Sequence, residues 1–400
     1  MILKKLFKKY NRIVLKSFIY LLIFHALDFC VSKAFELPAF QVFSIQNLVA
    51  SDFTYNDLFY RAQGKAGFKD VKRKHKEEII LVNTAELDGE EFRLNLANLL
   101  DSIEKFNPKA VGIDFTFSMD TSITGTPELL EVSERYRNLV LAQSNEANYL
   151  SYSAKVTRGN VDFPLEQFSI RYYQGGDKSF AFKLFNKVRG VKETPVFCSR
   201  DSFPIVYSCV HDGMVSYEEK MNDNYEVNYK TIAGEKLLEN PAEYSSAIKN
   251  NIIIIGHLGR NQFDMEDRFP VPTDTNDVVN RVPLMPGPVI HANALSNMLD
   301  NQYFTTPNNW LSFLLYNIIM LILIFFIIQH SMKILLIGGL VIISIIWIWL
   351  SIYIMEFKIY IQVGSTLVGL LILEEFIEVF DPFVVNWYAK LKKSLSKIKK

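Results

Sequence analysis

From Trp310 to Leu373 the chain is almost continuously apolar, broken only by Gln329-His330-Ser331-Met332-Lys333 and by Glu356-Phe357-Lys358. An α-helix needs about 20 apolar residues to cross a bilayer, because its backbone polar groups must be satisfied internally there. Three such stretches fit here, at 309–328, 334–355 and 359–379. A fourth, Ile13–Val31, follows a basic start. The only small-x-small pattern at its end is Ser32-Lys33-Ala34, with a lysine in the middle. We therefore read it as an uncleaved anchor rather than a signal peptide. His25 and Asp28 fall near its outer end.

Charge sets the expected orientation. Lys4, Lys5, Lys8, Lys9, Arg12 and Lys16 precede or enter the first stretch, and Lys390, Lys392, Lys393, Lys397, Lys399 and Lys400 follow the last. Basic flanks stay on the cytoplasmic side, so one crossing followed by three returns both clusters to the cytoplasm. Residues 32–308 then lie outside. They carry 29 basic against 37 acidic side chains, a surplus of eight negative charges. The expected domains are a basic start and anchor at 1–31, an extracytoplasmic domain at 32–308, a three-helix membrane bundle at 309–380 and a basic tail at 381–400. The tail places Leu391, Leu395 and Ile398 among lysines, a pattern suited to lying on anionic lipid.

The outer region reads as an α/β fold with a largely parallel sheet. Ile79-Ile80-Leu81-Val82 is a buried-strand run. Leu96, Leu99, Leu100, Ile103 and Phe106 recur at helical spacing. The next strand is expected over Ala110–Phe117. Thr126 is expected to cap a second helix with Pro127 at its first position. Leu139–Ala142 forms a third strand, and Ser179–Val188 a helix. Cys198–Tyr229 reads as a β-rich excursion. Asn251–Gly256 is the clearest buried strand, and Pro286-Gly287-Pro288 opens a helix through His291 and Leu299. Strands alternating with helices imply parallel pairing with crossover connections.

These residues resemble a known family. Asp57–Arg61, Ala110–Phe117, Asn160–Arg171 with Ser179-Phe180-Ala181, Ile252–Gly256 followed by Asp264 or Asp267 and Pro270, and above all Pro286-Gly287 with His291-Ala292-Asn293-Ala294 resemble the CHASE2 domain over residues 50–305. One helix before the domain and three after it also fit that family. The resemblance implies an extracytoplasmic sensory module of a multi-pass protein in the bacterial inner membrane. Two departures stand out. Asn83 replaces the aspartate that often ends the family's first strand, and no kinase, cyclase or other output module follows the bundle.

Open parallel sheets bind ligands beyond the carboxyl ends of their strands. Asp114 lies near one such end and His257 directly follows another. Asp264, Glu266 and Asp267 occupy the next loop, and His291 and Asn293 begin a helix. Asp114, His257, Asp264, Asp267, His291 and Asn293 are thus the expected ligand residues, suited to a small polar ligand or cation, or else to capping turns and bonding buried carbonyls. Gly256 and Gly259 lack the spacing of a phosphate loop. No catalytic motif stands out, so no enzymatic activity is expected, and the sequence points to no cofactor, resident metal or nucleic acid. Cys198 and Cys209 each end an apolar run and could pair as a disulfide in an oxidising compartment. Glu374 and Glu378 share a helix face; they face either a membrane partner or the headgroups. The expected partners are membrane lipid and a second protein or a second copy, met through the bundle. The function expected is that of a sensor or scaffold acting through a separate partner; the alternative is a structural subunit of an envelope complex.

Overall fold

The computed structural model describes residues 13–23, 25–26, 75–144 (without 88, 118, 119 and 121), 156–163, 170–190 (without 175), 201–207, 215–216, 229–271 (without 261–263 and 265), 285–304 and single positions between 314 and 386. The chain divides into two units, one formed by Met1–Tyr55 with Thr305–Lys400 and the other by Asn56–Phe304.

Within Asn56–Phe304 the main sheet is built from β1 (Ile79–Asn83), β2 (Ala110–Ile113), β3 (Leu139–Gln143), β4 (Thr157–Asn160), β8 (Lys230–Ala233) and β9 (Ile252–Gly256), with the two-residue β7 (Val215–Ser216) at one edge. The order is β4-β3-β2-β9-β1-β8-β7. Each of its pairings is parallel. Two small antiparallel pairs join β5 (Tyr172–Gln174) to β6 (Ser202–Pro204) and β10 (Arg268–Phe269) to β11 (Met285–Pro286). The helices are α1 (Phe92–Glu104), α2 (Thr126–Arg135), α3 (Phe180–Arg189), α4 (Gly234–Glu239), α5 (Ser245–Ile248) and α6 (Gly287–Leu299).

The strands are apolar because both faces of the sheet are covered, as parallel sheets require. Side chains alternate between the faces. Ile80, Val82, Val111, Ile113, Ile253 and Ile255 join one core with Leu96, Leu99 and Leu100 of α1 and Leu129 of α2. The residues between them face α3 and α6. A β-carbon at Gly112 would stand 2.6 Å from Phe180 Cζ, so glycine lets α3 settle on β2. All thirteen residues of α6 are buried, so its apolar side chains are not confined to one stripe and its polar ones, His291, Asn293, Ser296 and Asn297, lie inside the domain.

Two expectations are corrected. β2 ends at Ile113, not Phe117. The chain leaves the sheet after Asp114 N–H donates to Ile255 O at 2.8 Å, and Phe115 turns to pack edge-on against Phe92 of α1. The N-cap of α2 is Gly125 in the left-handed region at φ 81°, not Thr126. The Thr126 hydroxyl instead donates to Ile123 O and accepts from Arg93.

The unit that holds both ends of the chain has helical positions at 13–23 and 25–26 and at single positions between 314 and 386. Several large apolar side chains there are exposed, among them Leu22, Ile318, Ile345, Ile346 and Trp349. His25 Nε2 and Asn317 Oδ1 lie 2.6 Å apart, joining the first helical stretch to the later one. Among the described residues no helix is long and apolar enough to cross a membrane. Most of the expected spans, the pairs Glu374–Glu378 and Cys198–Cys209, and most of the basic tail lie outside the described residues.

Candidate functional site

The carboxyl ends of β1, β2 and β9 sit side by side, and the polar residues singled out in the sequence gather above them. Side-chain alternation decides where each one goes. Gly112 faces α3 and Gly256 faces α6 on the same side of the sheet, so Asp114, two residues beyond Gly112 and with its Cβ 3.3 Å from where a Gly256 β-carbon would stand, faces that side too. His257, one residue beyond Gly256, does not. The strand ends therefore carry two clusters.

The inner cluster is Asp114, Asp267, His291 and Tyr173. The Asp114 side chain is only 8% exposed and its Oδ1 lies 3.6 Å from His291 Nε2. Burial, with the negative charge of Asp267 added, holds the Asp114 carboxyl well above the usual carboxylate range. His291 is fully enclosed, stacked on Phe163 with ring centroids 4.9 Å apart and met edge-on by Tyr173 and Phe180. Burial pushes its imidazole down to about 3, so it is neutral at any ordinary pH. The Tyr173 hydroxyl accepts Ala181 N–H at 3.1 Å and shares a 2.6 Å hydrogen bond with His291 Nδ1, while the other ring nitrogen, Nε2, faces Asp114.

Asp267 sits at φ 52° and its main-chain oxygen accepts Gly287 N–H, the first residue of α6, at 2.9 Å. Its carboxylate lies so close that a β-carbon on Gly287 would stand 2.8 Å from Oδ2. The residue as a whole is exposed. Desolvation of its carboxylate, followed by the charge of Glu266, raises its affinity for a proton, while the Gly287 N–H opposes the rise. A β-carbon at Gly256 would strike the Pro288 ring, so glycine at the end of β9 is what lets α6 start this close to the sheet.

The outer cluster is His257, Asp264 and Glu266. His257 Nε2 lies 3.3 Å from Asp264 Oδ2 and 3.9 Å from Glu266 Oε2. The His257 side chain is only 7% exposed and its Nε2 makes no hydrogen bond. Asp264 is fixed from below: Oδ2 accepts Arg260 N–H at 3.0 Å and Oδ1 accepts Glu266 N–H at 3.2 Å. Those two bonds, with a smaller contribution from His257, hold its carboxyl below the usual range.

Asn293, also expected here, is fully buried, and its amide donates to Val289 O one turn back at 2.9 Å. Three residues the sequence reading had not placed at the site support it. Asn83 Oδ1 accepts from Ala85 and Leu258 N–H, and its Nδ2 donates to Gly259 O at 2.8 Å, tying the β1 loop to the β9 loop. Asn297 of α6 holds both main-chain polar groups of Val206. Tyr173 comes from the β5–β6 pair. A cavity of about 240 Å³ lined by Glu104, Asn107, Tyr136 and Asn138 lies at the opposite, amino-terminal edge of the sheet.

The model of the CHASE2 domain family matches residues 37–328, about three-quarters of the sequence. The chain belongs to the CHASE2 domain family. The match extends beyond the 50–305 that carry the visible motifs, and it takes in both clusters. CHASE2 is a family of extracytoplasmic sensory domains. No curated protein and no solved structure matches this chain.

Proposed function

We propose that this protein is a membrane-held CHASE2 sensor or scaffold whose outer domain takes up a small polar or ionic ligand at the carboxyl ends of β1, β2 and β9, and whose state is passed to a separate partner protein. The observation that carries the reading is the pair of polar clusters on those strand ends. Burying Asp114, and leaving His257 Nε2 without a hydrogen-bond partner, both cost stability, and a packing role alone would favour apolar residues there. Family membership supports the sensory role.

Support for the membrane comes from the exposed Leu22, Ile318, Ile345, Ile346 and Trp349, a surface suited to lipid or to other helices. In sequence, α6 ends only ten residues before the apolar stretch at 309. A ligand that favours one arrangement of the strand-end loops would bias α6 and the helices that follow, provided two arrangements exist. The output lies with a partner that binds those helices.

Purification of the full chain in mild detergent, with identification of what co-elutes, tests the partner. A co-eluting kinase, cyclase or other signalling protein is the expected result. Recovery of envelope-machine subunits alone would favour the structural alternative, and a lone monomer under every condition would overturn both. Impermeant labelling of residues 56–304 in intact cells tests sidedness, and labelling only after lysis would sink the outer placement.

A further inference from the structure

We infer that His257, Asp264 and Glu266 form a binding site for a divalent transition-metal cation, with zinc the best fit. The inference names a ligand class for the sensor reading and rests on that reading for its physiological use, while binding itself stands apart from it.

The ligand atoms of the three residues all lie within 4.8 Å of one another. Acidic side chains on a loop gather without any ion, so His257 decides the matter. Its imidazole is more than nine-tenths buried, its Nε2 has no hydrogen-bond partner, and that nitrogen faces the two carboxylates. A buried ring nitrogen aimed at two carboxylates without a hydrogen bond has the arrangement of a metal ligand. Asp264 Oδ2 at 3.3 Å is its nearest polar neighbour, and that contact does not have the geometry of a hydrogen bond, so the loss of its solvation is compensated only in part.

The spacing favours zinc. Zinc binds imidazole nitrogen and carboxylate oxygen at about 2.0–2.2 Å in tetrahedral geometry, which places two ligand atoms about 3.4 Å apart. His257 Nε2 and Asp264 Oδ2 are 3.3 Å apart, so one edge of the tetrahedron is already set. Glu266 Oε2 stands at 3.9 Å on a side chain that is 74% exposed and free to close the remaining gap. An imidazole ligand disfavours magnesium and calcium, which take oxygen alone. Three protein ligands leave one tetrahedral position for water or a donor from another molecule. The bonds from Arg260 and Glu266 N–H orient Asp264 as outer-shell partners orient metal-binding carboxylates.

Occupancy would tie His257 to Asp264 and Glu266. The residue after Glu266, Asp267, holds the first turn of α6 through Gly287. The ion would thus act on the helix that leads in sequence to the apolar stretch.

Cobalt(II) is the probe, added to the full chain purified in detergent without a polyhistidine tag and first stripped of metal by a chelator. The expected result is one equivalent of bound cobalt with the intense visible bands of a tetrahedral ion, displaced by zinc. The His257→Gln and Asp264→Asn variants should lose the bands. Glu266→Gln, at an exposed position where the fold is not at risk, should weaken binding by about tenfold or more. Zinc should raise the unfolding temperature of the natural protein and not that of the variants. Absence of bound cobalt or zinc, or binding that all three variants retain, would overturn the site. A site that fills as described while a co-purified partner's activity ignores zinc would uphold the metal assignment and count against the sensor reading instead.

Discussion

Tyr173 and His291 lie 118 positions apart in the sequence and share a 2.6 Å hydrogen bond inside the domain. The same phenolic oxygen accepts Ala181 N–H from the first turn of α3. One hydroxyl therefore joins β5, α3 and α6. Tyr173→Phe keeps the ring and its packing against Phe203 and His291 but leaves the Ala181 N–H and His291 Nδ1 unsatisfied in a buried place. A loss of about 1–3 kcal/mol is expected, read as a lower midpoint in chemical unfolding. A Tyr173→Phe protein as stable as the natural one would show that water or a rearranged ring supplies the missing bonds.

The inner cluster makes stability depend on pH in two opposed ways. Asp114, faced by His291, Asp267 and Tyr173, has its carboxyl raised chiefly by burial, so the folded protein keeps a proton that the unfolded chain releases above the ordinary aspartate value of 3.8. That contribution is complete below the unfolded value and is lost as pH rises through the folded one. His291 is lowered from 6.5 to about 3 by burial, so the unfolded chain takes a proton that the folded protein refuses. Its contribution is complete above 6.5 and lost as pH falls toward 3. Asp114→Asn mimics the protonated acid. It should match the natural protein near pH 4 and exceed it at about pH 8, with the acid limb set by His291 left in place. Thermal unfolding across pH reads both limbs, and a constant offset between the two proteins would refute the assignment.

Gly256 has an ordinary backbone conformation, so its replacement is a steric matter alone. A β-carbon there would strike the Pro288 ring and stand 3.3 Å from Asp114 Cβ. Gly256→Ala should cost about 1–3 kcal/mol, because α6 and the end of β9 have to separate. The same change at Gly89, where a β-carbon meets nothing within 4 Å, tests backbone strain without crowding, since φ there is 124°. The two variants together separate close approach from conformational cost.

Much of this architecture could be read from the residues. The run Ile252–Gly256 announces a strand covered on both faces, and two-residue alternation from Gly112 places Asp114 on the side of the sheet that α3 and α6 cover. The polar strand β4, Thr157–Asn160, could not be read, since it lies at the sheet edge and is held by β3 and by a bridge to Ser179 rather than by apolar side chains. Asp114, His257, Asp264, Asp267 and His291 lie near one another beyond the carboxyl ends of the strands, but sequence could not divide them. The division depends on the register that sets Asp114 beside Gly256 rather than beside His257, and on Tyr173, which no local pattern connects to His291. Asn293 shows the limit most clearly: its position in the motif suggests a ligand, whereas its amide is occupied by Val289 O.

Asn83 stands where the resembling family often has aspartate, and its geometry explains why the amide suits this chain. Oδ1 accepts from Ala85 N–H at 3.1 Å and Leu258 N–H at 3.0 Å, which a carboxylate could also do. Nδ2 donates to Gly259 O at 2.8 Å, which a carboxylate cannot. Asn83→Asp would bring a negative oxygen against a carbonyl oxygen and turn one attraction into repulsion. We expect a loss of about 1–3 kcal/mol above the aspartate's own ionisation range, shrinking as the pH falls and the acid takes up a proton that can again be donated to Gly259 O. Chemical unfolding of the variant at neutral and acidic pH checks the sign. Since Leu258 and Gly259 directly follow His257, the variant should also weaken cobalt binding at neutral pH, and unchanged binding would show that the Asn83 tether does not set the position of that imidazole.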